Sequence, residues 1–174
     1  MNDIDKIKRK IRDIQDFPKE GILFRDITPL LADAELCQAA LESLAAPFDA
    51  DPPDAIAGIE SRGFLFGMLL AARFGIPFIP VRKSGKLPYD KISHSYSLEY
   101  GEATIEMHTD AIRPGMRVLI HDDLLATGGT AAAAASLANK LNGTVLGFSF
   151  LLEISALEGR KQLGDYIVES LIQY

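Results

Sequence analysis

The sequence predicts an α/β domain built on a central, mainly parallel sheet flanked by helices, and three observations carry the prediction. Short continuous apolar runs, Ala55–Ile59, Pro77–Val81, Val118–Ile120 and Thr144–Leu152, are what strands covered on both faces require. Segments with helical periodicity or high helix propensity alternate with them, the order that builds parallel crossover units. Two of the runs pass through a polar turn straight into a helix, and ligands of such folds sit outside the carboxyl ends of the strands.

Taken in order, Ile4, Ile7, Ile11 and Ile14 recur at spacings of three and four, which predicts an amphipathic helix over residues 3–14. The stretch DFPKEGILFRDITP, from Asp16 to Pro29, has no period but carries two phenylalanines and aliphatic residues. Apolar residues on such an irregular segment are either a surface flap packed on the core or the lining of a ligand pocket. Residues 33–46 read as a helix with Asp33 as N-cap and Pro47 beyond its end. After the turn Asp51–Asp54 comes the strand Ala55–Ile59, the polar turn Glu60-Ser61-Arg62-Gly63, and a helix from about Phe64 to Phe74 closed by Gly75. The strand Pro77–Val81 leads into a basic loop, Arg82 to Lys91. Then Ile92, His94, Tyr96, Leu98 and Tyr100 alternate with polar residues, and a turn at Gly101-Glu102 leads to a second alternating run, Thr104 to His108. That pattern predicts an antiparallel hairpin projecting from the parallel sheet. A turn at Arg113-Pro114-Gly115 precedes a strand with the apolar run 118–120 and a polar end at Asp122 and Asp123, followed by a tight turn and a helix of about 129–141. A strand Thr144–Leu152, a short capped helix Ser155–Leu163 and a last extended piece Tyr166–Ile172 complete the pattern. At 174 residues, without internal repeats or low-complexity segments, one domain over residues 1–174 holds all of it.

Bulk properties exclude several classes of function. The 18 basic and 24 acidic residues leave a net charge of −6, which argues against general nucleic-acid binding by phosphate neutralisation. A polyanionic substrate must then be drawn in by a local cluster, for which Arg82, Lys83 and Lys86 are the candidates. The single cysteine, Cys37, lies in an apolar helical pattern and is expected in the core, so no disulfide framework exists. The mixed-charge start MNDIDKIKRK is not a signal peptide, and no run of about 18 apolar residues occurs. A cytoplasmic location, away from membranes, is expected. His94, His108 and His121 lack metal-ligand spacing, and no CxxC, HExxH, GxxxxGK[ST] or GxGxxG is present.

The stretch VLIHDDLLATGGT, Val118 to Thr130, organises the chemistry. A turn of Thr, Gly, Gly and Thr opening a helix offers unpaired backbone N–H groups, hydroxyls and the positive end of a dipole, which is an anion site. Asp122 and Asp123 just before it would repel a bare phosphate. They suit a ligand whose neutral hydroxyls lie a few ångströms from its phosphate, because an ionised carboxylate is a strong acceptor. Ribose 5-phosphate has that form: its hydroxyls go to Asp122 and Asp123, its phosphate to Ala126, Thr127, Gly128, Gly129 and Thr130. The plainer alternative is an ordinary strand–turn–helix with solvated acids at its mouth.

The whole string resembles the phosphoribosyl pyrophosphate (PRPP) signature of the type I phosphoribosyltransferases. The segments FPKEGILFRDITP, IESRGFLFG, RKSGKLP and SYSLEYG look like those of the adenine-specific members, over nearly the full chain. The resemblance implies the type I phosphoribosyltransferase fold, with an N-terminal hood over residues 1–32 and a flexible hairpin loop over residues 83–101. It implies conversion of adenine and PRPP to AMP and pyrophosphate, with Mg²⁺ carried by PRPP and no protein ligand of the metal directly assigned. It also implies a homodimer, because the family's counterpart of Arg82 reaches the pyrophosphate of the neighbouring subunit.

Pyrophosphate needs cations and backbone donors. Those expected are Arg62, taking it bidentately, with Glu60, Ser61 and Gly63 on the same turn, which the family builds with a cis peptide at 60–61, and Arg82, Lys83 and Lys86. Arg62 as a surface ion pair is the alternative. Glu60 stands where many members carry Asp. Glu99 of SYSLEYG matches the carboxylate that stabilises the oxocarbenium-like ribose or handles the purine proton, and Tyr100 beside it helps position the loop; on alternation alone Glu99 is a polar hairpin residue. Adenine presents an acceptor at N1 and donors at N6. A backbone edge, which the family match puts at Leu23 and Arg25, accepts that pattern and rejects 6-oxopurines, with Phe24 and Leu124 covering the purine faces. Two competing readings are an enzyme for another purine base and a non-catalytic PRPP-sensing regulator.

Overall fold

The computed structural model describes residues 2–97 and 101–174; Leu98, Glu99 and Tyr100 lie outside the described residues. The chain separates into two compact units, one ending at Ser43 and the other covering Leu44–Tyr174.

In the first unit, helix α1 is Asp3–Lys10, capped by Asn2, whose Oδ1 accepts from Asp5 N at 2.8 Å. The isoleucine period predicted a helix to residue 14, but the chain turns extended at Ile11. Arg12–Ile14 (β1) pairs antiparallel with Phe24–Asp26 (β2), Ile14 opposite Phe24. A long-range ladder has overridden a local period, which propensity alone cannot foresee. Asp26 Oδ1 then accepts from Thr28 N and Oγ1 at 2.9 and 2.6 Å, starting the short helix α2, Thr28–Leu31. Helix α3, Ala34–Ala45, begins behind Asp33, whose Oδ1 accepts from Leu36 N at 3.2 Å, the expected cap. Cys37 is only half-buried on this helix, not a core residue; its polar neighbours Glu35 and Gln38 share the exposed side.

The second unit carries a seven-stranded sheet. Its strands are β3 (Ala55–Ile59), β4 (Phe78–Lys83), β5 (Lys91–Ser97), β6 (Glu102–His108), β7 (Arg117–Leu125), β8 (Thr144–Glu153) and β9 (Ile167–Gln173). The spatial order is β5-β6-β4-β3-β7-β8-β9, in which β4, β3, β7, β8 and β9 run parallel. The hairpin does not merely project: β6 pairs antiparallel with β4 through Arg82↔Glu106 and Lys83↔Ile105, so it continues the sheet. Helix α4, Gly63–Phe74, follows β3, and helix α5, Gly129–Lys140, follows β7. Since β3 and β7 are neighbours whose chains leave towards opposite edges, the sheet reverses order between them, and both polar turns open at that crevice.

Two strands run further than their apolar runs indicate. β4 continues through Arg82 and Lys83, and β7 continues through Asp122 and Asp123 to Leu125, held by pairs such as Asp122↔Phe150 and Leu124↔Leu152. The acids are therefore within the ladder. Residues 155–163 are not an α-helix but two 3-10 turns, Ser155–Leu157 and Gly159–Gln162, with Glu158 between them at φ 51°. Arg160 explains the break. Its Nε and Nη2 each lie 2.8 Å from an oxygen of Glu153, at the end of β8, and Nη1 donates to Val168 O on β9 at 2.8 Å.

This clamp yields a stability prediction. Arg160 holds the buried Glu153 carboxyl below its usual 4.5, against the opposing effect of burial. The stabilisation is thus complete above that pH and is lost as pH falls through the lowered value. Arg160→Ala is expected to cost about 1–3 kcal/mol in urea unfolding at neutral pH, reduced because the guanidinium is partly exposed, with the deficit closing in acid.

Candidate active site

Asp122 and Asp123 are consecutive on β7, and the turn after β3 meets both of them. Asp122 lines a small cavity of about 70 Å³ together with Leu124, Ala126, Thr127, Gly128 and Thr130. Helix α5 starts in the wall of that cavity with no side-chain cap, so its first N–H groups have no side-chain capping oxygen. Gly128 holds the turn at φ 84°, and a Cβ there would collide with the Gly159 carbonyl oxygen, so only glycine fits. The same Asp122 also borders a larger cavity of about 500 Å³, lined by Glu60, Lys83, Tyr96, Thr104 and Thr130 among others.

The turn after β3 meets these acids directly. A Cβ on Gly63 would stand 2.8 Å from Asp122 Oδ1 and 3.0 Å from the His121 carbonyl oxygen, so glycine permits the close approach. Arg62 Nε pairs with Asp123 Oδ2 at 2.9 Å, and Asp123 is only 4% exposed. The arginine is thus in an ion pair, as one alternative held, but its partner is a site acid, not a surface one. The peptide between Glu60 and Ser61 is cis, as the resemblance implied.

Glu60 gathers the basic segment. Its Oε2 accepts from Arg82 Nε at 3.2 Å and from Lys83 N at 3.0 Å, and its Oε1 is 3.2 Å from Lys86 Nζ. Burial works to raise this carboxyl, but those donors outweigh it and leave it below its usual range. The buried Glu106, which sequence reading passed over, accepts from Ser84 Oγ and Gly85 N at 2.9 and 3.0 Å and fixes the next turn.

Burial pushes both aspartates up, and the Asp123 charge pushes Asp122 further, while Arg62 works against the rise at Asp123. A carboxylate short of water gains most from hydroxyl donors on a ligand. His121, fully buried with Nδ1 3.4 Å from Ser149 Oγ, is pushed down to about 3 by burial and stays neutral.

Of the expected site residues, the second unit brings together Glu60, Ser61, Arg62, Gly63, Arg82, Lys83, Lys86, Asp122, Asp123, Leu124 and the turn 126–130. Leu23, Phe24 and Arg25 belong to the first unit. There Phe24 packs edge-on against Phe17 with centroids 5.0 Å apart, and the Arg25 guanidinium pairs with Asp13. Glu99 lies outside the described residues. Tyr96, Glu106 and His121 were missed as site residues, because each takes its partner from a distant segment, and the motifs that contain Tyr96 and His121 do not show that partner. Among the described residues, no three His, Cys, Asp or Glu side chains converge on a metal position.

Comparison with known proteins fits this geometry. Residues 31–173 match the phosphoribosyl transferase domain. The chain belongs to the phosphoribosyltransferase family, and its fold is the type I fold of that family. Within it, the chain is 53% identical to the adenine phosphoribosyltransferase of Cytophaga hutchinsonii, over 97% of this chain and 94% of the relative. The crystal structure of the adenine phosphoribosyltransferase of Thermoanaerobacter pseudethanolicus is similar at TM-score 0.96 and 50% identity, covering 98% and 99% of the two chains. The Saccharomyces cerevisiae adenine phosphoribosyltransferase, solved with adenine and an imino-altritol bisphosphate, matches at TM-score 0.92 and 39% identity, covering 97% and 98%.

The Arg62–Asp123 pair gives a second prediction. Removing Arg62 leaves the Asp123 carboxylate buried without its cation, so its pKa rises further and the folded state pays for the charge at high pH. Arg62→Ala is expected to lose about 1–3 kcal/mol, below the range for a fully buried pair because the Arg62 side chain is 32% exposed. Urea unfolding at successively lower pH should show that deficit narrowing as Asp123 takes its proton.

Proposed function

We propose that this chain transfers the phosphoribosyl group of PRPP to adenine, releasing AMP and pyrophosphate, as a purine-salvage enzyme. The observation that carries the reading is the shared cavity, in which the Asp122 carboxylate and the uncapped start of α5 face the same space. A phosphate alone would be repelled by that acid; a sugar phosphate satisfies both walls.

In this reading the 5-phosphate accepts from the N–H groups and hydroxyls of residues 126–130, and Asp122 and Asp123 accept from the ribose hydroxyls. Arg62, Arg82, Lys83 and Lys86 take the pyrophosphate, the attraction of Arg82 and Lys86 for Glu60 and of Arg62 for Asp123 being exchanged for attraction to the ligand. Charge then departs with pyrophosphate and positive character develops at C1 of the ribose, where Glu99 is the carboxylate assigned to stabilise it or to handle the purine proton. Mg²⁺ suits this arrangement as a passenger on PRPP, since Glu60 is engaged by cations and the substrate's own phosphate oxygens are the hard donors that Mg²⁺ prefers. When bound it would offset the charge of the leaving group.

Adenine would be read by the backbone at Leu23 and Arg25, alternate positions that direct their amide groups to one edge, with Phe24 and Leu124 on its faces. Residues 1–32 act as the hood over the base and residues 83–101 as the loop that closes on the reacting centre, excluding water. The protein works as a homodimer. Helix α4 supports this, exposing Leu65, Met68 and Leu69 at 42%, 54% and 39%. A cytoplasmic setting is part of the proposal, and among the described residues no helix is long and apolar enough to cross a membrane.

A pyrophosphate-release assay with PRPP and each purine in turn tests the reading. Adenine should exceed hypoxanthine, guanine and xanthine by at least about 10³-fold in kcat/KM, because a 6-oxopurine leaves buried amide groups unpaired. Equal rates with hypoxanthine would transfer the protein to another base, and no turnover with PRPP binding intact would favour a sensor. For Glu99→Leu the expectation is a fall in kcat of about 10²–10³-fold with the PRPP KM within a few-fold of wild type.

A further inference from the structure

We propose that Tyr96 is a positioning residue for the phosphate turn, its hydroxyl donating to Thr130 Oγ1 and thereby directing the Thr130 proton to the bound phosphate. The inference rests on the reading of residues 126–130 as the phosphate turn. The two oxygens are 2.8 Å apart, and the residues are 34 positions apart in sequence, so only the fold brings them together.

The direction of this hydrogen bond follows from the ligand. A threonine hydroxyl has one proton and two lone pairs. If Thr130 gave its proton to Tyr96, it would present only lone pairs to a phosphate, an acceptor facing an acceptor. If Tyr96 donates, the Thr130 proton is free for the anion and one of its lone pairs is already used. The phenol is the better donor of the two, so the order Tyr96 to Thr130 to phosphate aligns both dipoles with the anion.

Tyr96 is placed for this by the strand that carries it. A Cβ built on Gly129 would lie 3.3 Å from Tyr96 Cδ2, so the ring rests on the backbone of the phosphate turn itself. β5 is paired with β6 from Lys91 to Ser97, Ser95 Oγ is 2.7 Å from Thr104 Oγ1, and Lys140 Nζ of α5 donates to Ser93 O at 3.4 Å. The phenol thus reaches Thr130 from a braced strand. It also stands in the wall of both the 500 Å³ cavity that holds Asp122 and a second cavity of about 410 Å³ beside Thr127 and Ser136.

The 5-phosphate keeps its charge through the reaction, so this contact is made equally before and in the transition state. Its loss should appear in affinity and not in turnover. Tyr96→Phe keeps the ring on Gly129 and removes only the hydroxyl. Calorimetry with PRPP should show binding about 3–10-fold weaker, with PRPP KM raised to match, kcat within about twofold and the thermal midpoint unchanged. Thr130→Val should weaken PRPP about 10–100-fold, Thr130→Ser should restore most of it, and Tyr96→Phe added to Thr130→Val should cost nothing more. Wild-type affinity in Tyr96→Phe alongside a weakened Thr130→Val would overturn the proposal and leave the phosphate turn standing. Full additivity in the double variant would overturn it too, since Tyr96 would then act through something other than Thr130. Unchanged PRPP affinity in Thr130→Val would remove the reading of the turn, and the proposal with it.

Discussion

The contact between the turn after β3 and the middle of β7 is the constraint on which the rest of the site depends. Gly63 lets the turn come within van der Waals reach of Asp122, and the Arg62–Asp123 ion pair holds it there. Both strands run parallel and their chains leave the crevice in opposite directions, so the polar turns after both strands open at one end of the sheet. Without that contact the two polar turns would be separate anion sites of little specificity. With it, residues of both, Glu60 and Thr130, line one cavity beside Asp122, which the proposed reading fills with a phosphorylated sugar.

Electrostatics explains how a chain of net charge −6 builds such a site. The cations are not spread over the surface as a general anion patch. Each is drawn to a carboxylate, Arg82 and Lys86 to the partly buried Glu60 and Arg62 to the buried Asp123, so the local positive field is confined to a few ångströms. Burial makes those carboxylates costly when ionised, and the cations offset that cost. A ligand that carries both phosphates and hydroxyl donors satisfies the cations and the acids together, which no simple anion does.

The main architecture was legible in the residues. The strand at 55–59, the helices after both polar turns and the parallel order all follow from apolar runs, glycines and cap residues, because those signals are local and large. The failures share a cause. Helix α1 stops at Lys10 because β1 finds a partner in β2; residues 155–163 break into 3-10 turns as Arg160 reaches Glu153 and Val168. In each case a contact with a distant segment outweighed a local preference worth a fraction of a kcal/mol per residue.

What the sequence by itself determined is the chemistry on offer: a small-residue turn behind paired acids, an arginine turn, a basic segment and an irregular apolar stretch near the start. Residue type and order carry that information because they set charge, donors and backbone freedom. What only the tertiary structure decided is who pairs with whom: Arg62 with Asp123, Glu60 with three donors of the basic segment, Tyr96 with Thr130. Those pairings depend on where strands and turns meet in space, to within an ångström. No spacing along the chain encodes a distance between residues 34 or 61 positions apart.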